Sequence, residues 1–153
     1  MIIVTDDGFA PDDRAERLMA GTYGEVSLAD LEAGLAANRP ASIGLVADND
    51  IDAHAVAPHF GALDAIIIAF PSFADGRGFS LAMKLRRLGF EGRLIAQGHV
   101  LADQYVHARR CGFDAVAIDQ ALAARQPEDQ WRARLTRINA SYQRRLHQAA
   151  QVA

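Results

Sequence analysis

Short apolar runs alternate with helix-length segments through most of this chain, and this alternation limits the folds that the chain can adopt. The runs cover residues 42–47, 65–70, 93–96 and 114–118, and the second of them reads AIIIAF. Such alternation is typical of βαβ units, and a continuous apolar run predicts a strand covered on both faces. We therefore predict an α/β fold with an open, mainly parallel sheet and helices on both faces, either Rossmann-like in three layers or half-barrel-like.

The size and composition of the chain predict one domain over residues 1–153. Half of its 153 residues are hydrophobic, which is enough for a full core. The chain is too short for a closed eight-stranded barrel, which needs about 250 residues. The formal net charge of −3 argues against a nucleic-acid partner that is held by bulk electrostatics. With one cysteine, Cys111, no leader-like segment and no long apolar run, we expect a cytoplasmic protein without membrane contact.

The last part of the sequence predicts a long C-terminal helix over residues 128–149. Apolar residues recur there at a 4-3-4-4 spacing, as expected for one helix face, and they are Trp131, Leu135, Ile138, Tyr142 and Leu146. This apolar stripe can cover the chain's own sheet or the surface of a second copy. We expect a homodimer that uses part of it.

The first candidate site follows the AIIIAF run and consists of Asp75, Gly76, Arg77 and Gly78. Two glycines allow a tight turn and a close approach to a ligand, and the following helix offers free N–H groups. The planar fork of Arg77 suits carboxylate, phosphate or a sulfur oxyanion. The alternative is a tight loop in which Asp75 caps the helix and Arg77 forms an ion pair.

The second candidate site follows the run at 93–96 and contains Gln97, His99 and Asp103. His99 and Asp103 are the candidate catalytic residues, since they could act as a general base and the carboxylate that orients it. The alternative is an ordinary first turn of a helix, with Asp103 favourably placed at the positive end of the dipole.

The motifs of common cofactors are missing from the sequence. It has no GxGxxG after a strand, no GxxxxGK[ST], and no HExxH or CxxC. An acidic group, Asp48, Asp50 and Asp52, could bind a hard cation but is more typical of a helix cap and a solvated loop. We therefore expect no metal site and identify no cofactor.

Several short motifs then follow one another in a fixed order, namely Phe70-Pro71, Asp75-Gly76-Arg77, Leu85-Arg86, Gly89-Phe90-x-Gly92, Gly98-x-Val100-Leu101-x-Asp103-Gln104 and Arg110-Cys111-Gly112-Phe113-Asp114. They resemble a bacterial family of unknown function whose members are named as candidate oxidoreductases of sulfite reduction, because their genes lie beside those of assimilatory sulfite reductase. The resemblance implies a role in sulfate or sulfite assimilation and supplies neither a cofactor nor catalytic residues. His99 departs from the family pattern, which usually has an acidic residue there.

Three functions fit these observations. The first is an accessory or anion-binding protein of the pathway, with sulfite reductase or another protein of sulfate assimilation as partner. The second is a small enzyme that acts on an anionic substrate with Asp75, Arg77, His99 and Asp103. The third is a structural or regulatory homodimer. For the first two functions we predict that Asp75, Arg77 and Asp103 share one pocket at the C-terminal edge of the sheet.

Overall fold

A computed structural model describes residues 1–36 and 40–135 of the chain. Within these residues, seven strands form one sheet, and they are β1 (Ile2–Thr5), β2 (Gly8–Pro11), β3 (Tyr23–Ser27), β4 (Ser42–Ala47), β5 (Ala65–Phe70), β6 (Arg93–Gly98) and β7 (Ala115–Ile118). The helices are α1 (Arg14–Met19), α2 (Leu31–Ala36), α3 (Ala53–Val56), a 3₁₀ helix (Ala57–Ala62), α4 (Arg77–Arg87), α5 (Ala102–Cys111), α6 (Gln120–Arg125) and α7 (residues 128–135).

The sheet is open and mainly parallel, as predicted. Strands β3 to β7 lie side by side in chain order and are parallel, so the order across the sheet is β2-β1-β7-β6-β5-β4-β3. β1 is antiparallel to β7 and to β2, with which it forms a hairpin. The loops that follow β4, β5 and β6 therefore leave the sheet at one edge, called the C-terminal edge below. The turn between β1 and β2 lies at the opposite, N-terminal edge.

Helices cover both faces of the sheet, but unequally. Because the parallel strands follow one another in chain order and right-handed crossovers are the rule, α2 to α5 lie on one face. The large core cluster on this face includes Leu31 of α2, Val56 of α3, Leu85 of α4 and Tyr105 of α5. On the other face the short helix α1 lies over a small cluster made of Ile3, Ala65, Ile67, Ile95, Ala115 and Ala117.

The N-terminal part of the chain contains two strands that the sequence analysis did not identify, β2 and β3. Both are short edge strands and are partly exposed, so neither has an apolar run. Before α2, the Ser27 hydroxyl accepts a hydrogen bond from the Asp30 amide at 3.2 Å. Asp52, of the acidic group that the sequence analysis interpreted as a helix cap and a solvated loop, caps α3 by accepting a hydrogen bond from the His54 amide.

The C-terminal helix begins at residue 128, as predicted, and its first part covers its own sheet. Trp131 is 1% exposed, and its ring lies edge-on to Phe9 and Tyr105. The indole N–H donates to the Gln126 carbonyl oxygen at 2.9 Å. Ile138, Tyr142 and Leu146 of the predicted stripe lie outside the described residues, as does the predicted helix end at residue 149.

None of the helices in the described ranges combines the length and the apolar character that crossing a lipid bilayer requires.

Candidate functional site

Three neighbouring loops are tied together at the C-terminal edge. They follow β4, β5 and β6 and comprise residues 48–52, 71–76 and 99–101. The Asn49 side-chain amide donates to Asp75 Oδ2 at 3.0 Å, which joins the first loop to the second. Gln104 at the start of α5 donates from Nε2 to the Phe73 carbonyl oxygen at 2.7 Å, which fixes the second loop to α5. The two candidate sites therefore meet at one edge, as the parallel sheet predicts.

Asp75 and Arg77 hold each other within the second loop. Arg77 donates from Nε and Nη2 to the two oxygens of Asp75, at 3.0 and 2.7 Å, and its Nη1 lies 3.6 Å from Asp50. Hydrogen bonds from Arg77 and then from Asn49 hold the pKa of Asp75 well below its usual range. The arrangement is the alternative that the sequence left open, an ion pair within a tight loop, and it occupies one side of the guanidinium fork.

A cavity of about 210 Å³ lies beside Arg77, between α4 and the loop after β4. Arg77, Ser80 and Lys84 line it from one face of α4, and Asn49 and Asp50 belong to its other wall. The cations of Arg77 and Lys84 thus lie beside the carboxylate of Asp50, and Arg77 also pairs with Asp75. Two positive and two negative charges therefore nearly balance.

The two glycines around Arg77 have different roles. Gly76 is exposed at the N-cap of α4, next to the Asp75–Arg77 pair. Gly78 is buried, and a Cβ there would lie 2.5 Å from the ring of Phe70. Gly78 therefore permits core packing and does not face the cavity.

The structure separates Asp103 from the Arg77 cavity, contrary to the prediction of one shared pocket. Asp103 forms an ion pair with Arg134 of α7 at 2.5 Å, and the Asp103 side chain is 72% exposed. His99 is exposed, and its backbone amide donates to the Phe70 carbonyl oxygen at 2.9 Å. Within residues 1–36 and 40–135, no hydrogen bond joins His99 to Asp103, so the predicted pair of base and orienting carboxylate is not formed.

Gln97 lies on the second face of the sheet rather than in the loop that was predicted for it. β6 continues to Gly98, two residues beyond the predicted end, and the alternation of side chains then places Gln97 on the α1 side. Its Oε1 accepts a hydrogen bond from Arg14 Nη2 at 2.6 Å. Arg14 also holds both oxygens of Asp12, so this group fixes α1 on the sheet.

Phe73 is the feature of this edge that the sequence analysis missed. It is 58% exposed, although Gln104 holds its carbonyl and the Ser72 hydroxyl accepts a hydrogen bond from the Ala74 amide at 3.2 Å. The signal in the sequence was an aromatic residue in a strand-to-helix loop, where it fits the apolar pattern of neither element. A large ring on a fixed loop is an anchor of the kind that dominates many protein interfaces.

The remaining candidate chemistry does not form a site. Within the described ranges, no group of three or more His, Cys, Asp or Glu side chains is arranged to hold a metal ion. Cys111 is buried, and burial raises the pKa of its thiol, which disfavours the nucleophilic thiolate. Its Sγ lies 3.6 Å from Nε2 of His107.

The chain belongs to a bacterial protein family of unknown function, DUF934, whose family model matches residues 44–152. The match begins in β4 and includes the three loops of the C-terminal edge and every motif between Phe70 and Asp114. A comparison with curated protein sequences gives no match.

Proposed function

We propose that this protein is a non-catalytic accessory factor of sulfate or sulfite assimilation, which binds a partner protein at the C-terminal edge of its sheet. The observation that carries the proposal is the exposed ring of Phe73 on a loop that Gln104 holds in place. The pathway is taken from the resemblance of the motifs to the sulfite-reduction family, and it is part of the proposal.

The arrangement of the polar groups favours binding over catalysis. Asp75 and Arg77 neutralise each other, Asp103 is paired with Arg134, and His99 is exposed without a carboxylate to orient it among the described residues. A general base needs a substrate proton within hydrogen-bond reach and usually a second group that orients it.

The surroundings of Phe73 indicate the chemistry of the partner. The adjoining loop carries three exposed carboxylates, Asp48, Asp50 and Asp52, of which Asp50 is paired with Arg77 at 3.6 Å. An apolar socket for an aromatic ring, bordered by arginine or lysine, would complement this surface. We propose that sulfite reductase or another protein of the pathway carries that socket.

A gene deletion tests the proposed role. We expect the deletion strain to fail on sulfate or sulfite as sole sulfur source and to grow on sulfide or cysteine. Growth of the deletion strain on sulfite at the parental rate would refute the role.

A double variant, His99→Ala with Asp103→Asn, separates binding from catalysis. We expect it to restore growth fully when its soluble amount equals that of the wild type, whereas an enzyme that uses these groups would lose its activity.

The cavity beside Arg77 favours a second candidate function, the binding of a small oxyanion such as sulfite. Arg77, Ser80 and Lys84 supply two cations and a hydroxyl along one face of α4. Calorimetric titration with sulfite tests it: Arg77→Ala and Lys84→Ala should each abolish binding. Arg87→Ala, on an exposed position of the same helix, should leave it intact. Equal sulfite binding by the wild type and Arg77→Ala would eliminate this site.

A further inference from the structure

Asn49, in the wall of the cavity beside Arg77, is a polar residue that is only 6% exposed. Its Nδ2 donates to Asp75 Oδ2 at 3.0 Å, which fixes the orientation of the side-chain amide. No residue of the described ranges donates a hydrogen bond to Asn49 Oδ1. Because no fully enclosed side-chain oxygen in those ranges lacks a partner, this oxygen reaches solvent where Asn49 lines the cavity. The cavity therefore receives a free hydrogen-bond acceptor from a nearly buried residue.

The opposite wall of the cavity is a cationic face of α4. Arg77, Ser80 and Lys84 are spaced there by three and four residues, which places them on one side of the helix. Lys84 is exposed and forms no ion pair with any described residue. Nε and Nη2 of Arg77 bind Asp75, whereas Nη1 lies 3.6 Å from Asp50, a distance longer than a hydrogen bond. This wall therefore offers donors to an oxyanion.

The two walls together favour a ligand that carries both charges. A bare oxyanion would approach the cations of α4, but it would also face the lone pairs of Asn49 and the carboxylate of Asp50. A bare cation would meet Arg77 and Lys84. An ammonium group has three N–H donors and no acceptor, so it suits the Asn49 oxygen. A ligand with an oxyanion at one end and an ammonium at the other complements both walls.

The cavity is also small and partly apolar. Its volume is about 210 Å³, whereas pockets for drug-sized ligands usually measure about 300–1,000 Å³. Ile51 and Leu81 complete its lining, and Leu81 is 4% exposed. A short uncharged side chain would lie against these two residues. The dimensions therefore fit a small amino acid rather than a nucleotide or a peptide.

We propose that this cavity binds a small α-amino acid as its zwitterion. The carboxylate lies against Lys84, Ser80 and Nη1 of Arg77. The ammonium donates to Asn49 Oδ1, and Asp50 stays paired with Arg77. The proposal concerns the cavity of the second candidate function, and it requires neither the sulfur pathway nor the proposed partner. It differs from that candidate in the ligand, because sulfite has no ammonium.

Calorimetric titration of the full-length protein tests the ligand class. The probes are glycine, L-alanine, L-serine and L-cysteine, together with propionate and ethylamine, which are alanine without its ammonium and without its carboxylate. We expect at least one amino acid to bind with a Kd of about 1 mM or lower, and propionate and ethylamine to bind at least about tenfold more weakly. Failure of all four amino acids to bind would overturn the proposal, and so would equally tight binding of propionate. Sulfite binding without amino-acid binding would overturn it in favour of the second candidate function.

Nuclear magnetic resonance locates the ligand without a variant. We expect the amino acid that binds to shift the side-chain ¹H–¹⁵N resonances of Asn49 and the backbone resonances of residues 80–84. Shifts that leave Asn49 and this part of α4 unchanged would place the ligand elsewhere and overturn the proposal.

A charge variant tests the carboxylate end of the site. Lys84→Gln removes one charge from an exposed position, so the fold should survive, and the affinity for the amino acid should fall at least about tenfold. Lys84→Arg should keep most of the affinity, and Arg87→Ala, on an exposed position of the same helix, should leave it unchanged. Wild-type affinity in Lys84→Gln would contradict the assignment of the carboxylate to this wall. Because none of these readouts is a growth assay, they succeed or fail independently of the proposed function.

Discussion

Each edge of the sheet carries an arginine from the motifs that resemble the family, and the two arginines have different roles. At the N-terminal edge Arg86 makes five hydrogen bonds, to the carbonyl oxygens of Phe90, Gly92 and Gly112 and to the carboxylate of Asp114. At the C-terminal edge Arg77 pairs with Asp75, two residues away, and with Asp50. The Arg86 side chain is 26% exposed and the Arg77 side chain 60%.

This difference assigns the motifs to two roles. Arg86 joins the end of α4 and the loop before β6 to the loop before β7, whose Gly112 and Asp114 lie 26 and 28 residues away in sequence. A second arginine, Arg109, joins Asp6 of the β1–β2 turn to the Phe113 carbonyl at the same edge. The N-terminal edge therefore stabilises the fold, whereas the C-terminal edge has a local pair and leaves Phe73 exposed.

The largest effect on stability is expected from Arg86→Ala. The substitution leaves the backbone carbonyls of Phe90, Gly92 and Gly112 without the Arg86 donor and removes the closer of the two ion pairs of Asp114, which should cost about 3 kcal/mol of the free energy of unfolding. Urea denaturation measures it, with the exposed neighbour Arg87→Ala as the control at under about 0.5 kcal/mol. If Arg86→Ala and Arg87→Ala were equally mild, the two edges would not differ as described.

Acid should weaken the N-terminal edge through Asp6. Burial raises the pKa of this carboxyl, but hydrogen bonds from Arg109 and Tyr105 outweigh burial and leave the pKa below its ordinary value. The folded state thus keeps Asp6 ionised at a pH where the unfolded state takes up a proton. The stability that Asp6 contributes is complete above about pH 4 and is lost as the pH falls through the lower folded pKa.

Asp6→Asn tests this pH dependence. Urea denaturation between pH 7 and pH 3 should give a smaller loss of stability on acidification for the variant than for the wild type. Asp7→Asn, in the same turn, is the matched control, and its acid dependence should follow the wild type. Parallel curves for the wild type and Asp6→Asn would show that Arg109 and Tyr105 do not depend on the Asp6 charge.

A smaller effect on stability is expected at the C-terminal edge from Arg77→Ala. The Arg77 side chain of the pair with Asp75 is 60% exposed, and exposed ion pairs usually contribute under about 1 kcal/mol. Thermal and urea unfolding should therefore stay close to those of the wild type. A loss as large as that of Arg86→Ala would mean that Arg77 holds the edge together in the same way as Arg86.

The smallest effect on stability is expected from Phe73→Ala, because Phe73 is 58% exposed. We expect the free energy of unfolding to change by under about 0.5 kcal/mol. Met83→Ala, which alters another exposed hydrophobic residue on α4, is the control. A loss above about 2 kcal/mol would place Phe73 in the core and remove the contrast between the edges.

The parallel part of the fold could be predicted from the sequence because its strands are buried. All residues of β5 except Ala69 are buried, and so are all four residues of β7, which gives continuous apolar runs. β2 and β3 could not be found in this way, since edge strands with mixed polar residues have no such run. The placement of α1 on the second face depends on Arg14 and Gln97, which are 83 residues apart.

The candidate site could be predicted as an edge but not as a set of contacts. Two further residues of β6 were enough to move Gln97 to the other face, because side chains alternate along a strand. The partner of Asp103 is Arg134, on a helix whose position no local pattern reveals. The role of Arg86 was hidden for a different reason: most of its partners are backbone carbonyls, which every residue carries.

The central claim is that the C-terminal edge acts by binding a partner through Phe73. The most direct test supplies the Phe73→Asp variant in trans to the deletion strain and measures growth on sulfite. Phe73→Asp should abolish binding while the fold survives, because it removes the ring and would force a charge into the apolar socket of the partner, and Met83→Asp serves as the matched control. We predict that Phe73→Asp fails to restore growth at wild-type soluble abundance, whereas Met83→Asp restores it. Growth at the wild-type rate with Phe73→Asp would contradict the claim that this edge acts by binding through Phe73.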